Sequence, residues 1–99
     1  MIRIVREMEK KVKKNWMNIV PQIINNLNHT NDIICPNCSK KKIDYMYVGD
    51  KNTRIGYLEI WCGICLKGIH ISRVMAPPNA KFLSLEDDIG NTIPDYEKI

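Results

Sequence analysis

Apolar residues recur at Val5, Met8, Val12, Trp16, Ile19, Ile23 and Leu27. Steps of three and four draw one stripe along a helix spanning Ile2 to Leu27, with lysines on the opposite face. Pro21 falls inside that pattern, where it removes a backbone donor and crowds the preceding turn, so a kink or a break into two helices is expected there. Asn25, Asn26, Asn28, Asn31 and Asp32 then close the segment as a polar linker. Beyond Ile33 the pattern changes. Ile43 to Val48 and Ile55 to Trp61 are rich in aromatic and β-branched residues, and the six residues between them, Gly49 to Arg54, carry turn chemistry. An antiparallel hairpin follows. Gly68 to Met75 opens with strict alternation, Ile69 and Ile71 on one face and His70 and Ser72 on the other, which predicts a third, half-buried strand. Pro77-Pro78 ends that ladder. Further on, Leu83 and Leu85 predict a short edge strand or a docked arm.

The chemistry of the chain is concentrated in four cysteines. They fall in two identical spacings, Cys35-Pro36-Asn37-Cys38 and Cys62-Gly63-Ile64-Cys65, with 23 residues between the pairs. Four thiolates converging in pairs complete a tetrahedron around zinc and leave no open position for a substrate water, so the spacing predicts one structural Zn2+. Iron in the same four-sulfur cage is the remote alternative. A dithiol redox site needs only one such pair, at a helix start, and here there are two at hairpin-like positions. His29 and His70 are the only histidines; with the tetrahedron already full, neither is needed as a ligand. No P-loop or glycine-rich dinucleotide turn is present, and no catalytic constellation is assigned.

The order knuckle, hairpin, knuckle, strand resembles the zinc-ribbon class of four-cysteine domains over about 44 of 99 residues. The resemblance implies an α+β fold: a small three-stranded antiparallel ribbon with an N-terminal amphipathic helix. Residues 1–32 would be the helical segment and linker, 33–76 the ribbon, and 77–99 an extended acidic tail. Two departures stand out. The glycine usual after each knuckle's second cysteine is Ser39 in the first and Leu66 in the second, with Gly68 arriving late. Ribbons that assist transcript cleavage carry two adjacent acids at the hairpin tip, whereas here Asp50 stands beside Lys51. The class spans many activities, so membership alone does not define one.

Charge sharpens the choice of partner only modestly. The formal net charge is +4, and a loaded four-thiolate zinc site lowers it to about +2. Six Lys/Arg against two Glu occupy residues 1–14, eight against three acids residues 33–82, and one Lys against five acids residues 83–99. Nucleic-acid binding would use Lys40, Lys41, Lys42, Arg54, Lys67 and Arg73, with Tyr45, Tyr47, Tyr57 and Trp61 as stacking surfaces. Alternation equally makes those aromatics the face on which the helix lies. Protein binding would use the stripe Val5, Met8, Val12, Trp16 and Ile19, buried in cis, in a homodimer, or on an unknown protein partner. Glu7, Glu9, Pro21 and five asparagines make the segment a poor membrane anchor. With no signal-peptide-length apolar run and paired cysteines read as metal ligands, a cytoplasmic, non-catalytic interaction or adaptor module is expected, with a nucleic-acid-binding ribbon as the alternative.

Overall fold

A proline decides where the N-terminal helix ends. The computed structural model describes residues 12–99, so Val5 and Met8 lie outside the described residues. Residues 12–18 form α1, Ile19 turns, and Val20–Asn25 form α2 with Pro21 in its first turn. Pro21 has no N–H for the carbonyl of Met17, so the hydrogen-bond ladder is interrupted where the sequence predicted. A 3-10 turn at Thr30–Asp32 leads into the first knuckle.

The sheet is larger than the expected ribbon. β1 (Ile43–Gly49), β2 (Ile55–Cys62) and β3 (Lys67–Met75) form the antiparallel meander. Two tail segments extend it: β4 (Phe82–Ser84) runs parallel to β1, and β5 (Glu97–Lys98) runs parallel to β3. The result is a five-stranded mixed sheet in the order β4-β1-β2-β3-β5. This corrects the three-stranded antiparallel reading. β4 is the edge-strand alternative expected around Leu83, whereas β5, two residues long, shows no alternation, and the parallel pairing of both is created by the crossover rather than by a turn signal. Between them lies one helical turn, α3 (Ile89–Thr92).

Each face of the sheet has its own cover. Ile43, Tyr45, Tyr47, Leu58, Ile60 and Ile69 pack beneath Trp16, Ile19 and Ile23 of the helices. The other face carries Met46, Val48 and Trp61 against Tyr96, with Leu83, Ile89 and Ile93 alongside. Tyr57 and Trp61 therefore do not share the helix face with Tyr45 and Tyr47. The register Tyr45↔Ile60 and Tyr47↔Leu58 puts Leu58 and Ile60 beneath the helix and turns the aromatics of β2 toward the tail. Tail chemistry covers what would have been an open sheet face.

Polar contacts fix the three chain segments to one another. The Tyr45 hydroxyl donates to the Leu27 carbonyl at 3.1 Å and accepts the Lys81 N–H at 3.0 Å, so one buried phenol joins the linker, β1 and the approach to β4. Arg54 sits at the end of the hairpin loop with φ 62°. Its guanidinium donates to the carbonyls of Ala76 (3.2 Å) and Pro77 (2.7 Å) and lies over the Phe82 ring. Arg73, φ 58°, is the extra residue of a β-bulge where Gly56 pairs with Val74 and Tyr57 with Ser72. No helix among the described residues is long and apolar enough to cross a membrane.

Candidate metal centre

The hairpin brings both cysteine pairs to one end of the sheet. Cys62 is the last residue of β2 and pairs with Ile43, the first of β1, so each knuckle is attached to a strand end. In both knuckles the residue after the second cysteine returns its N–H to the carbonyl of the first: Ser39 to Cys35 and Leu66 to Cys62, each at 3.0 Å. Closing so tight a loop forces that residue into the left-handed region, with φ 63° at Ser39 and 53° at Leu66. Glycine reaches this region without steric cost, whereas Ser39 and Leu66 do not. Gly68 is not a displaced knuckle glycine but serves β3: a Cβ there would lie 1.9 Å from the Ile60 carbonyl oxygen.

All four sulfur atoms lie within 4.8 Å of one another. Cys35 Sγ is 3.8 Å from Cys65 Sγ, and Cys38 Sγ is 3.6 Å from Cys62 Sγ. These distances are far beyond a disulfide bond of about 2.05 Å. They match the edge of a tetrahedron with metal–sulfur bonds of about 2.3 Å, which is about 3.8 Å. Backbone N–H groups are aimed at sulfur: Asn37 and Cys38 toward Cys35 at 3.3 and 3.4 Å, and Ile64 toward Cys62 at 3.4 Å. The donor set and its dimensions fit a thiolate-bound metal ion.

Electrostatics divide the cysteines. Burial pushes the Cys35 thiol up to about 12 despite the N–H groups of Cys38 and Asn37, and burial raises Cys62 as well. At Cys65, burial opposes ionisation but is outweighed by the Asn37 side chain and the Lys67 N–H, which bring the thiol down to about 7. A metal ion would supply the positive charge that the buried thiolates lack. Asn37 and the Lys67 amide carry no sequence signal as sulfur donors, because their role depends on the knuckles meeting in space.

The other predicted site residues are dispersed. Lys40, Lys41 and Lys42 are exposed at the first knuckle, Arg73 is exposed at the bulge, and Lys67 is half-buried where β3 meets β5. Arg54 spends its guanidinium on Ala76, Pro77 and Phe82. Tyr45, Tyr47 and Trp61 are buried. Of the helix stripe, Trp16 and Ile19 are buried against the sheet and Val12 is partly so. Asp50 is exposed in the hairpin loop; its carboxylate accepts the N–H groups of Asn52 and Thr53, and those bonds hold it below the usual carboxylate range. What the sequence did not single out is the apolar rim of the metal end: Ile34, Ile64 and Leu66 are 55%, 55% and 44% exposed.

The arrangement defines an α+β protein with a four-cysteine site of metal-binding geometry. Comparison with protein-family models, with curated proteins and with solved structures found no match.

Proposed function

We propose that this chain is a non-catalytic zinc-binding module whose metal end contacts a protein partner. The observation that carries the reading is the four-sulfur cluster, whose two close edges of 3.6 and 3.8 Å fit a closed tetrahedral site. Such a site stabilises a fold without offering a position for substrate. Ile34, Ile64 and Leu66 surround it as exposed apolar side chains on short, metal-braced loops, the kind of rigid apolar anchor that protein interfaces use. Zinc rather than iron is the ion proposed, as the metal most often held in structural four-cysteine sites.

Native mass spectrometry before and after chelation tests the first half: one zinc per chain, with loss of the compact charge-state envelope on its removal, is the expected result. Iron, or a metal-free chain that stays folded, would overturn it. The interface half is tested by Ile34→Glu with Ile64→Glu, which should abolish association while zinc content stays at one. Nucleic-acid binding is favoured by one observation, the exposed run Lys40, Lys41 and Lys42, while Tyr45, Tyr47 and Trp61 are buried and offer it no stacking surface. That reading requires an affinity that falls steeply with salt and is weakened by Lys40→Glu with Lys42→Glu.

A further inference from the structure

A second constellation lies on the tail-covered face of the sheet, away from the cysteines. Glu59, in the middle of β2, is 5% exposed. A buried carboxylate is costly unless its oxygens are occupied, and both are. Oε1 meets Nδ1 of His70 across the β2–β3 pair, and Oε2 meets the hydroxyl of Tyr96. Tyr96 also reaches the Ile69 carbonyl at 2.9 Å. Burial, and next the Glu59 carboxylate, push the Tyr96 phenol far above its usual range, so it remains a donor at every working pH.

These contacts select the tautomer of the neutral imidazole. A carboxylate only accepts, so Nδ1 must carry the hydrogen, and the neutral ring then presents a bare lone pair at Nε2. Nε2 has no partner among the described residues. The His70 side chain is 35% exposed, and its ring lies over Tyr57 with centroids 4.8 Å apart and planes tilted by 31°. Both rings line an open cleft of about 660 Å³ whose other walls are tail residues, chiefly Ile89, Ile93 and Pro94, with Asp95 and Lys98 among its charged groups. The volume falls in the range of small-molecule sites. The cleft thus offers aromatic and aliphatic walls and one hydrogen-bond acceptor held in place from behind.

We propose that this cleft binds a small planar ligand bearing an O–H or N–H donor at its edge, with His70 Nε2 accepting that hydrogen in the plane of the imidazole and Tyr57, Ile89, Ile93 and Pro94 supplying apolar walls around it. Glu59 is the positioning residue, fixing the tautomer without touching the ligand. Phenolic rings and aminated heterocycles share this chemistry. The site is independent of the metal reading.

The test is nitrogen-detected NMR of the zinc-loaded full chain, with His29→Gln distinguishing the two imidazoles, and with phenol and adenosine as probes. Before any probe, His70 should show a protonated Nδ1 and an unprotonated Nε2 at alkaline pH. Millimolar phenol or adenosine should then shift the His70 and Tyr57 ring signals, and the probe that does so identifies which source of the shared chemistry fits. His70→Phe keeps a ring on Tyr57 but removes the acceptor, and should weaken binding about tenfold or more. Tyr57→Leu, which leaves Glu59 and His70 intact, should weaken it as well. A neutral His70 protonated at Nε2, silence of its signals toward both probes, or binding unchanged in His70→Phe would each overturn the proposal.

Discussion

Among the described residues, four other than glycine occupy the left-handed region: Ser39, Arg54, Leu66 and Arg73. At Leu66 the conformation is imposed by the knuckle, and the side chain is largely exposed, so its burial returns little. Left-handed backbone costs an L-residue about 1–2 kcal/mol, while glycine's extra chain entropy costs roughly 0.5–1 kcal/mol. Leu66→Gly should therefore leave stability unchanged or raise it by up to about 1 kcal/mol, and Leu66→Val, which is β-branched, should lower it. Thermal melts of the metal-loaded variants decide this. Gly68 behaves oppositely. A methyl group there collides with the Ile60 carbonyl, and Gly68→Ala should cost about 3 kcal/mol or more by denaturant unfolding. The sequence exposed both positions as departures from a ribbon pattern, but assigned Gly68 to the knuckle because residue spacing does not reveal which strand passes close by.

At the scale of elements, the helices and the tail hold the two faces of one sheet. Trp16 is fully buried in the helix-side cluster. Trp16→Ala should cost about 3–5 kcal/mol, enough to unfold a marginal domain, as read by the urea midpoint. The tail is held differently, by Tyr96 stacked on Trp61 and bonded to Glu59 and Ile69. Because the folded-state pKa of Tyr96 is raised above 10, the contribution of its neutral phenol is fully present below pH 10 and is lost as pH climbs beyond it. Tyrosinate absorbance should show Tyr96 resisting ionisation until a cooperative alkaline transition, and Tyr96→Phe should remove its share of that dependence. The helical stripe from Val12 to Ile23 and its break at Pro21 were legible in sequence because both are local. The strand character of Glu97–Lys98 was not, since two residues hold no periodicity.

Over the whole molecule, the metal end and the C-terminus are mechanically joined. Glu97 donates to the Leu66 carbonyl at 2.9 Å and Ile99 to that of Gly68 at 2.8 Å, so β5 is attached to residues that immediately follow Cys65. Zinc binding in four-cysteine modules is worth about 10–16 kcal/mol, comparable to or larger than the stability of a typical domain. Chelation should accordingly abolish hydrogen-exchange protection at the Glu97 and Ile99 amides together with that at Ser39 and Leu66. Continued protection of β5 in the metal-free chain would show that Tyr96 alone suffices to hold the tail.

The cysteine spacing, the amphipathic stripe, the proline break and the hairpin are properties of residues near one another in the chain, and the sequence by itself determined them. Periodicity and ligand spacing are local codes that require no knowledge of neighbours in space. Tertiary structure decided which aromatics lie under the helix, that the tail pairs in parallel with both β1 and β3, that Arg54 is a clamp, and that Glu59, His70 and Tyr96 meet. In β2 both faces are covered, so the inward charge at Glu59 sits in a run of Tyr57-Leu58-Glu59-Ile60-Trp61 whose alternation does not say which face will be dry. Only the docking of residues 89–99 against that face excludes water and turns one acidic residue into a buried, oriented partner for histidine.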